Sequence, residues 1–136
     1  MHRHIVVLVA DDDDAIRELL AAAIGEEPGL HVLTAADGAQ ALARCEHARP
    51  AIALVDVNMP GLGGIEVIQR LKADQLLAGI PVVAMSAGTN REQALAAGAD
   101  VFVEKPFELE QLVGVINSHL EARLTHESGQ LPARDT

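Results

Sequence analysis

The chain has 136 residues, 49% of them hydrophobic, and a formal net charge of −10. It is long enough to bury one core, too short for two ordinary domains, and globular rather than disordered in composition. With no Trp, no Tyr and two Phe, it lacks the aromatic platforms on which single-stranded nucleic acid stacks, and its charge repels a phosphate backbone, which argues against direct nucleic-acid binding.

The opening Met1-His2-Arg3-His4 leads into a short apolar run without the pattern of a signal peptide. No apolar stretch approaches the roughly 20 residues needed to span a bilayer. Cys45 is the single cysteine and has no internal disulfide partner. The expectation is a soluble cytoplasmic protein with no membrane partner.

The first apolar run, Ile5 to Ala10, reads as a strand, and four more follow: Leu30 to Thr34, Ala51 to Val57, Pro81 to Met85 and Val101 to Val103. The first, third and fourth are continuous rather than alternating, as in parallel strands covered on both faces. Between the first two, Ile16, Leu19, Leu20, Ala23 and Ile24 recur on one helix face. Asp37 with Gln40 resembles a capping box opening a second helix, and Asn90 with Gln93 another. A third helix is expected over Gly64 to Ala73 with Ile65, Ile68 and Leu71 inward, and a fifth carries Leu109, Leu112, Val113, Ile116 and Leu120. This alternation predicts an α/β fold in which right-handed crossovers build a parallel sheet flanked by helices. The pattern fades after Glu121, so residues 1–123 are expected to form the domain and 124–136 a disordered tail or linker.

In such sheets the active crevice lies beyond the carboxyl ends of the strands, and chemistry-bearing residues stand there. Strand one runs into Asp11-Asp12-Asp13-Asp14, and strand three ends at Asp56. Carboxylates converging at adjacent strand ends repel unless a hard cation neutralises them, and Mg²⁺ suits one or two carboxylates while keeping positions for water and phosphate oxygens. Asp13 or Asp14 is assigned to capping the first helix, leaving Asp11 and Asp12 for the site. Ser86 after strand four and Lys105 after strand five bring a hydroxyl and a cation to the same crevice, which is what charge on a phosphoryl group needs.

Asp11-Asp12, then Asp56-Val57-Asn58-Met59-Pro60-Gly61, then Ser86-Ala87, then Lys105-Pro106-Phe107 resemble the response-regulator receiver family, in order, across residues 5 to about 121. The resemblance implies a (βα)5 doubly wound, flavodoxin-like three-layer sandwich with strand order 2-1-3-4-5, like the chemotaxis response regulators. It implies Asp56 as phosphoacceptor, a metal ion held by Asp11, Asp12, Asp56 and the backbone carbonyl of Asn58 (Mg²⁺, with Mn²⁺ as the alternative), and Ser86 and Lys105 on the phosphoryl oxygens. Ser86 and Phe102 fill the switch positions, and the Lys105–Pro106 peptide is expected to be cis. The donor would be a phosphohistidine on a sensor histidine kinase or histidine phosphotransfer protein, and the output an unspecified downstream protein met as a monomer or weak homodimer. Such a domain is a signalling device rather than a conventional enzyme, although it catalyses its own phosphorylation and dephosphorylation.

Two features depart from the pattern. The stretch from Ser86 to Gly98 is about one helical turn short, which stunts helix four and bears on the output face. Gly63-Gly64 supplies two glycines where one would suffice. Cys45 reads as a small buried hydrophobe. His2 and His4 sit at a loose end, and His31, His47, His119 and His126 have no ligand spacing. Asp11 and Asp13 match the spacing of a phosphohydrolase with an aspartyl-phosphate intermediate, but Asp56, Lys105-Pro106 and the short length favour a receiver. A nucleotide-binding domain is disfavoured, since four aspartates stand where a glycine-rich loop belongs. A binding module that signals unphosphorylated is the remaining alternative.

Overall fold

A computed structural model describes residues 5–88 and 90–129, with side chains as far as Glu121. Each apolar run forms its strand: β1 Ile5–Ala10, β2 Leu30–Ala35, β3 Ile52–Asp56, β4 Val82–Ser86 and β5 Val101–Glu104. The helices between and after them are α1 Asp14–Gly25, α2 Gly38–Ala48, α3 Gly64–Ala73, α4 Arg91–Ala97 and α5 Leu109–Gly129. All pairings are parallel, in the order β2-β1-β3-β4-β5.

Side chains alternate across a strand, so each strand feeds two cores. Leu8, Ala10, Ala53, Val55, Val82 and Ala84 face one side, packed with Val67, Ile68 and Leu71 of α3. Val7, Val9, Ile52, Leu54, Val83 and Met85 face the other, against Leu20 and Ile24 of α1 and Leu112 and Ile116 of α5. Because both faces are covered, the central strands are apolar up to their last residues, Asp56 and Ser86. Cys45 is buried in the first of these cores, as expected, and burial pushes its thiol up to about 11, with the Glu46 charge adding to it.

The caps follow the sequence with one exception. Asp13 caps α1, its carboxylate accepting from the amides of Ala15 and Ile16. Asp37 accepts from the Gln40 amide, while Gln40 Oε1 accepts from the Ala36 amide. Asn90, by contrast, precedes α4 without capping it; its side chain goes elsewhere, as described below. Leu19 is 56% exposed, because it lies at the margin of the α1 stripe and only Leu20 and Ile24 reach full burial. α4 has seven residues, the short helix expected from the spacing. The α5 helix extends to Gly129, beyond the point at which the apolar pattern fades. Residues 130–136, His2, His4 and the side chain of His126 lie outside the described residues.

The amino ends of β4 and β5 are cross-linked to the end of α3. Lys72 Nζ donates to the carbonyl oxygens of Ala78 (3.2 Å) and Ile80 (3.0 Å) and pairs with Asp100 Oδ2 (3.2 Å). The same Asp100 oxygen accepts from the Val82 amide at 2.8 Å.

Candidate functional site

The register puts the polar residues at one rim. Asp11 follows β1, its amide donating to the Ala35 carbonyl; Asp56 ends β3 opposite Met85; Ser86 ends β4 opposite Glu104. The ladder continues one step further, as the Lys105 amide donates to the Ser86 carbonyl and the Val57 amide to that of Met85. Each functional side chain therefore leaves a strand at the point where the sheet stops.

Asp11, Asp56 and Ser86 are the only buried polar or charged residues among those described, at 0%, 3% and 0% exposure. Ligand oxygens of Asp11, Asp12 and Asp56 all lie within 4.8 Å of one another. Lys105 Nζ stands 2.9 Å from Asp11 Oδ2 and 3.4 Å from Asp56 Oδ1. The Lys105–Pro106 peptide is cis, as the resemblance implies. Asp12 is exposed and presents its carboxylate from the outer side of the cluster.

One ammonium does not balance three carboxylates. Burial, and then the charge of Asp11, push the Asp56 carboxyl from 3.8 up to about 6, against the opposing pull of Lys105 and the Asn58 amide. Burial lowers the Lys105 pKa, but the hydrogen bond to Asp11 and the charges of Asp56 and Asp11 outweigh it, so the net shift is upward. An all-oxygen donor set with excess negative charge is the environment a hard divalent cation fits.

Of the remaining expected residues, Asn58 joins this rim and Phe102 does not. The Asn58 amide donates to Asp56 Oδ1 at 3.3 Å, and Asn58 Nδ2 donates to Ser86 Oγ at 3.3 Å. Phe102 stands apart, half-buried against the core, with the Arg91 guanidinium 5.8 Å from its ring centre.

Three residues of the neighbourhood were not assigned to the site from the sequence. Arg17 Nη1 donates to the Asp11 backbone carbonyl at 2.8 Å, while Nη2 pairs with Asp14. Gly64 opens α3 directly on the end of β3, where a Cβ would lie 2.2 Å from the Asp56 carbonyl oxygen and 2.7 Å from Val57 Cα. Asn90 Nδ2 donates to Ser86 Oγ at 3.1 Å. An arginine one turn into a helix gives no sequence signal, whereas the doubled glycine did draw notice.

The family model described as the response regulator receiver domain matches residues 7–117. The chain belongs to the response-regulator receiver family. It is 36% identical over 117 residues to the DNA-binding response regulator MtrA of Mycolicibacterium smegmatis, covering 84% of this chain and 50% of MtrA. It is 37% identical to the phosphate regulon transcriptional regulatory protein PhoB of Pseudomonas aeruginosa, covering 84% of this chain and 51% of PhoB. The chain thus spans about half the length of such relatives. Among solved structures, it resembles the receiver domain of the Francisella response regulator 1452 (TM-score 0.79, 30% identity, 87% of this chain and 98% of that one). It also resembles the chemotaxis protein CheY4 of Vibrio cholerae (TM-score 0.77, 30% identity, 84% and 97%). The sheet order and the five flanking helices agree with this assignment. The chain is a receiver domain of the two-component type, a class that functions through phosphorylation on aspartate. Among the described residues, no helix is long and apolar enough to cross a membrane.

Proposed function

We propose that Asp56 is the phosphoacceptor, taking a phosphoryl group from a phosphohistidine on a sensor histidine kinase or a histidine phosphotransfer protein in the cytoplasm. The observation that carries this reading is the Lys105 ammonium within 3.4 Å of Asp56 Oδ1 and 2.9 Å of Asp11 Oδ2. It sets a fixed cation beside a buried carboxylate at the rim of the sheet.

Asp11, Asp12, Asp56 and the Asn58 backbone carbonyl would hold Mg²⁺, or Mn²⁺ in its place. When bound, that ion offsets charge on the acids and on the phosphoryl oxygens. The protein's own residues do the rest. The Asp56 carboxylate attacks phosphorus in line, and the imidazole of the donor leaves. Lys105 neutralises developing charge on an equatorial oxygen, and the Ser86 hydroxyl donates to another. Arg17 and the Asp13 amide, which donates to Asp11 Oδ1 at 2.9 Å, keep Asp11 oriented.

Attack of water on the phosphorus of the aspartyl phosphate breaks its bond to Asp56, releasing inorganic phosphate and the free carboxylate, so the domain catalyses both its loading and its reset. In the loaded state Ser86 turns toward the phosphoryl group and Phe102 responds, shifting the face formed by α4, β5 and α5 toward its output partner. Intact mass after incubation with acetyl phosphate tests the assignment. One added phosphoryl group that requires Mg²⁺ and is lost in Asp56→Asn supports it. A stable gain of the same mass on Asp56→Asn moves the acceptor elsewhere. Failure to label, with partner binding retained in Asp56→Ala, favours signalling without phosphate.

A further inference from the structure

Ser86 Oγ is fully buried and accepts from three N–H groups: Asn58 Nδ2 at 3.3 Å, Asn90 Nδ2 at 3.1 Å and the Gly88 amide at 3.1 Å. A hydroxyl oxygen has two lone pairs, so its acceptor capacity is oversubscribed and its position is held. The Gly88 bond is local and can travel with Ser86. The two amide side chains come from outside it, one from the β3–α3 link and one from the residue that precedes α4.

Asn90 is the more telling of the pair. It stands where a helix cap is wanted, yet its side chain makes no cap bond and turns back to a hydroxyl four residues earlier. Orphan amides at a helix start are ordinarily satisfied by such a residue. The link between β4 and α4 brings the Asn90 amide within 3.1 Å of Ser86 Oγ.

We propose that Asn90 is a positioning residue that restrains Ser86 in its resting orientation, so that engagement of a phosphoryl group by Ser86 must first break the Asn90 bond. The inference rests on the reading of Asp56 as acceptor and Ser86 as phosphoryl-oxygen donor. Breaking that bond frees the Asn90 side chain to cap α4, so loading of the acceptor is coupled directly to the start of that helix. Asn90 touches none of Asp11, Asp12 and Asp56 in the hydrogen bonds above, so its effect falls on phosphoryl engagement and leaves divalent-cation affinity unchanged.

The test is the affinity of the full chain for beryllofluoride, a phosphoryl mimic, measured by fluorine-19 NMR in saturating Mg²⁺. Wild type, Asn90→Ala and Asn90→Ser are compared, each also in a Ser86→Ala background; Asn90→Ser retains a residue able to cap and guards against a folding defect. Loss of one neutral hydrogen bond is expected to tighten binding about two- to tenfold, and the gain should vanish when Ser86 is alanine, as a double-mutant cycle requires. Unchanged or weakened binding in the Asn90 variants, or a gain that persists without the Ser86 hydroxyl, overturns the restraint. Absence of beryllofluoride binding by wild type overturns the acceptor reading, and the restraint with it.

Discussion

The Lys105 ammonium lies 3.4 Å from the nearer carboxylate oxygen of Asp56, close enough to act on it electrostatically at every stage of a phosphoryl cycle. The same ammonium contacts Asp11 more closely, so it also competes for an oxygen that a divalent cation would use. Replacing it by methionine keeps the length of the side chain and removes the charge. Lys105→Met is therefore expected to bind Mg²⁺ more tightly, by roughly tenfold on a Coulomb argument with a screened interior, while labelling by acetyl phosphate slows. Titration calorimetry and a labelling time course check the two halves. Weaker Mg²⁺ binding would mean that the lysine organises the acids rather than competing at them.

With divalent cations chelated, Asp56 should make stability fall as pH rises. Its carboxyl is pushed up to about 6 in the folded chain from an ordinary value of 3.8. Between those two values the folded chain holds a proton that the unfolded chain has released. The contribution is therefore fully present below about pH 4 and is lost as the pH passes through about 6. The loss is on the order of 3 kcal/mol. Urea denaturation in EDTA at pH 4, 5.5 and 7.5 measures it, taken as the difference between wild type and Asp56→Asn. The variant should gain relative stability across that window, and parallel curves would show that the buried carboxyl bears no excess charge.

Divalent cation should reverse this penalty at neutral pH. A ligand that binds only the folded chain stabilises it by about 2.7 kcal/mol at one hundred times its dissociation constant. Melting temperature at pH 7 should therefore rise with Mg²⁺ in wild type. The rise should shrink sharply in Asp12→Asn, which removes charge at an exposed position without creating a buried defect. An equal rise in both proteins would place the cation elsewhere.

The adjacent glycines should respond oppositely to alanine. At Gly64 a Cβ would meet the Asp56 carbonyl oxygen at 2.2 Å, whereas at Gly63 the nearest atom is Val57 O at 3.7 Å. Gly64→Ala forces α3 off the end of β3 and should cost about 3 kcal/mol or more. Gly63 already has extended backbone, with φ −77° and ψ 168°, so Gly63→Ala should be neutral or stabilise by about 0.5 kcal/mol through the unfolded chain. Urea midpoints with unchanged slopes separate the two. Equal destabilisation would refute the contact assigned to Gly64.

The rim of the sheet was legible because four of the five apolar runs, all but the second, give way abruptly to polar or charged residues. Asp11, Asp56, Ser86 and Lys105 could be read as neighbours once the strands were taken as parallel, since topology alone brings carboxyl ends together. What could not be read depends on side-chain direction. Leu19 has the spacing of a core residue but lies at the edge of the buried stripe. Asn90 and Gln93 have the spacing of a capping box, yet a hydroxyl in reach outcompeted the helix amides. Arg17 is drawn to a backbone carbonyl, a partner that leaves no trace in a pattern of residue types. Gly64 was noticed as one of a redundant pair, and only the crossing of α3 over the end of β3 reveals which of the two is indispensable.

The lysine knot beneath β4 and β5 gives the molecule a fixed hinge point. Lys72 and Asp100 tie the starting ends of those strands to the end of α3, far along the sheet from the acids. Under the proposed switching, a displacement begun at the tip of β4 is opposed at the strand's other end, which leaves the segment above it as the part to move. A signalling domain with so brief a fourth helix gains by this anchoring, because a stubby lever transmits motion only when its pivot stays still.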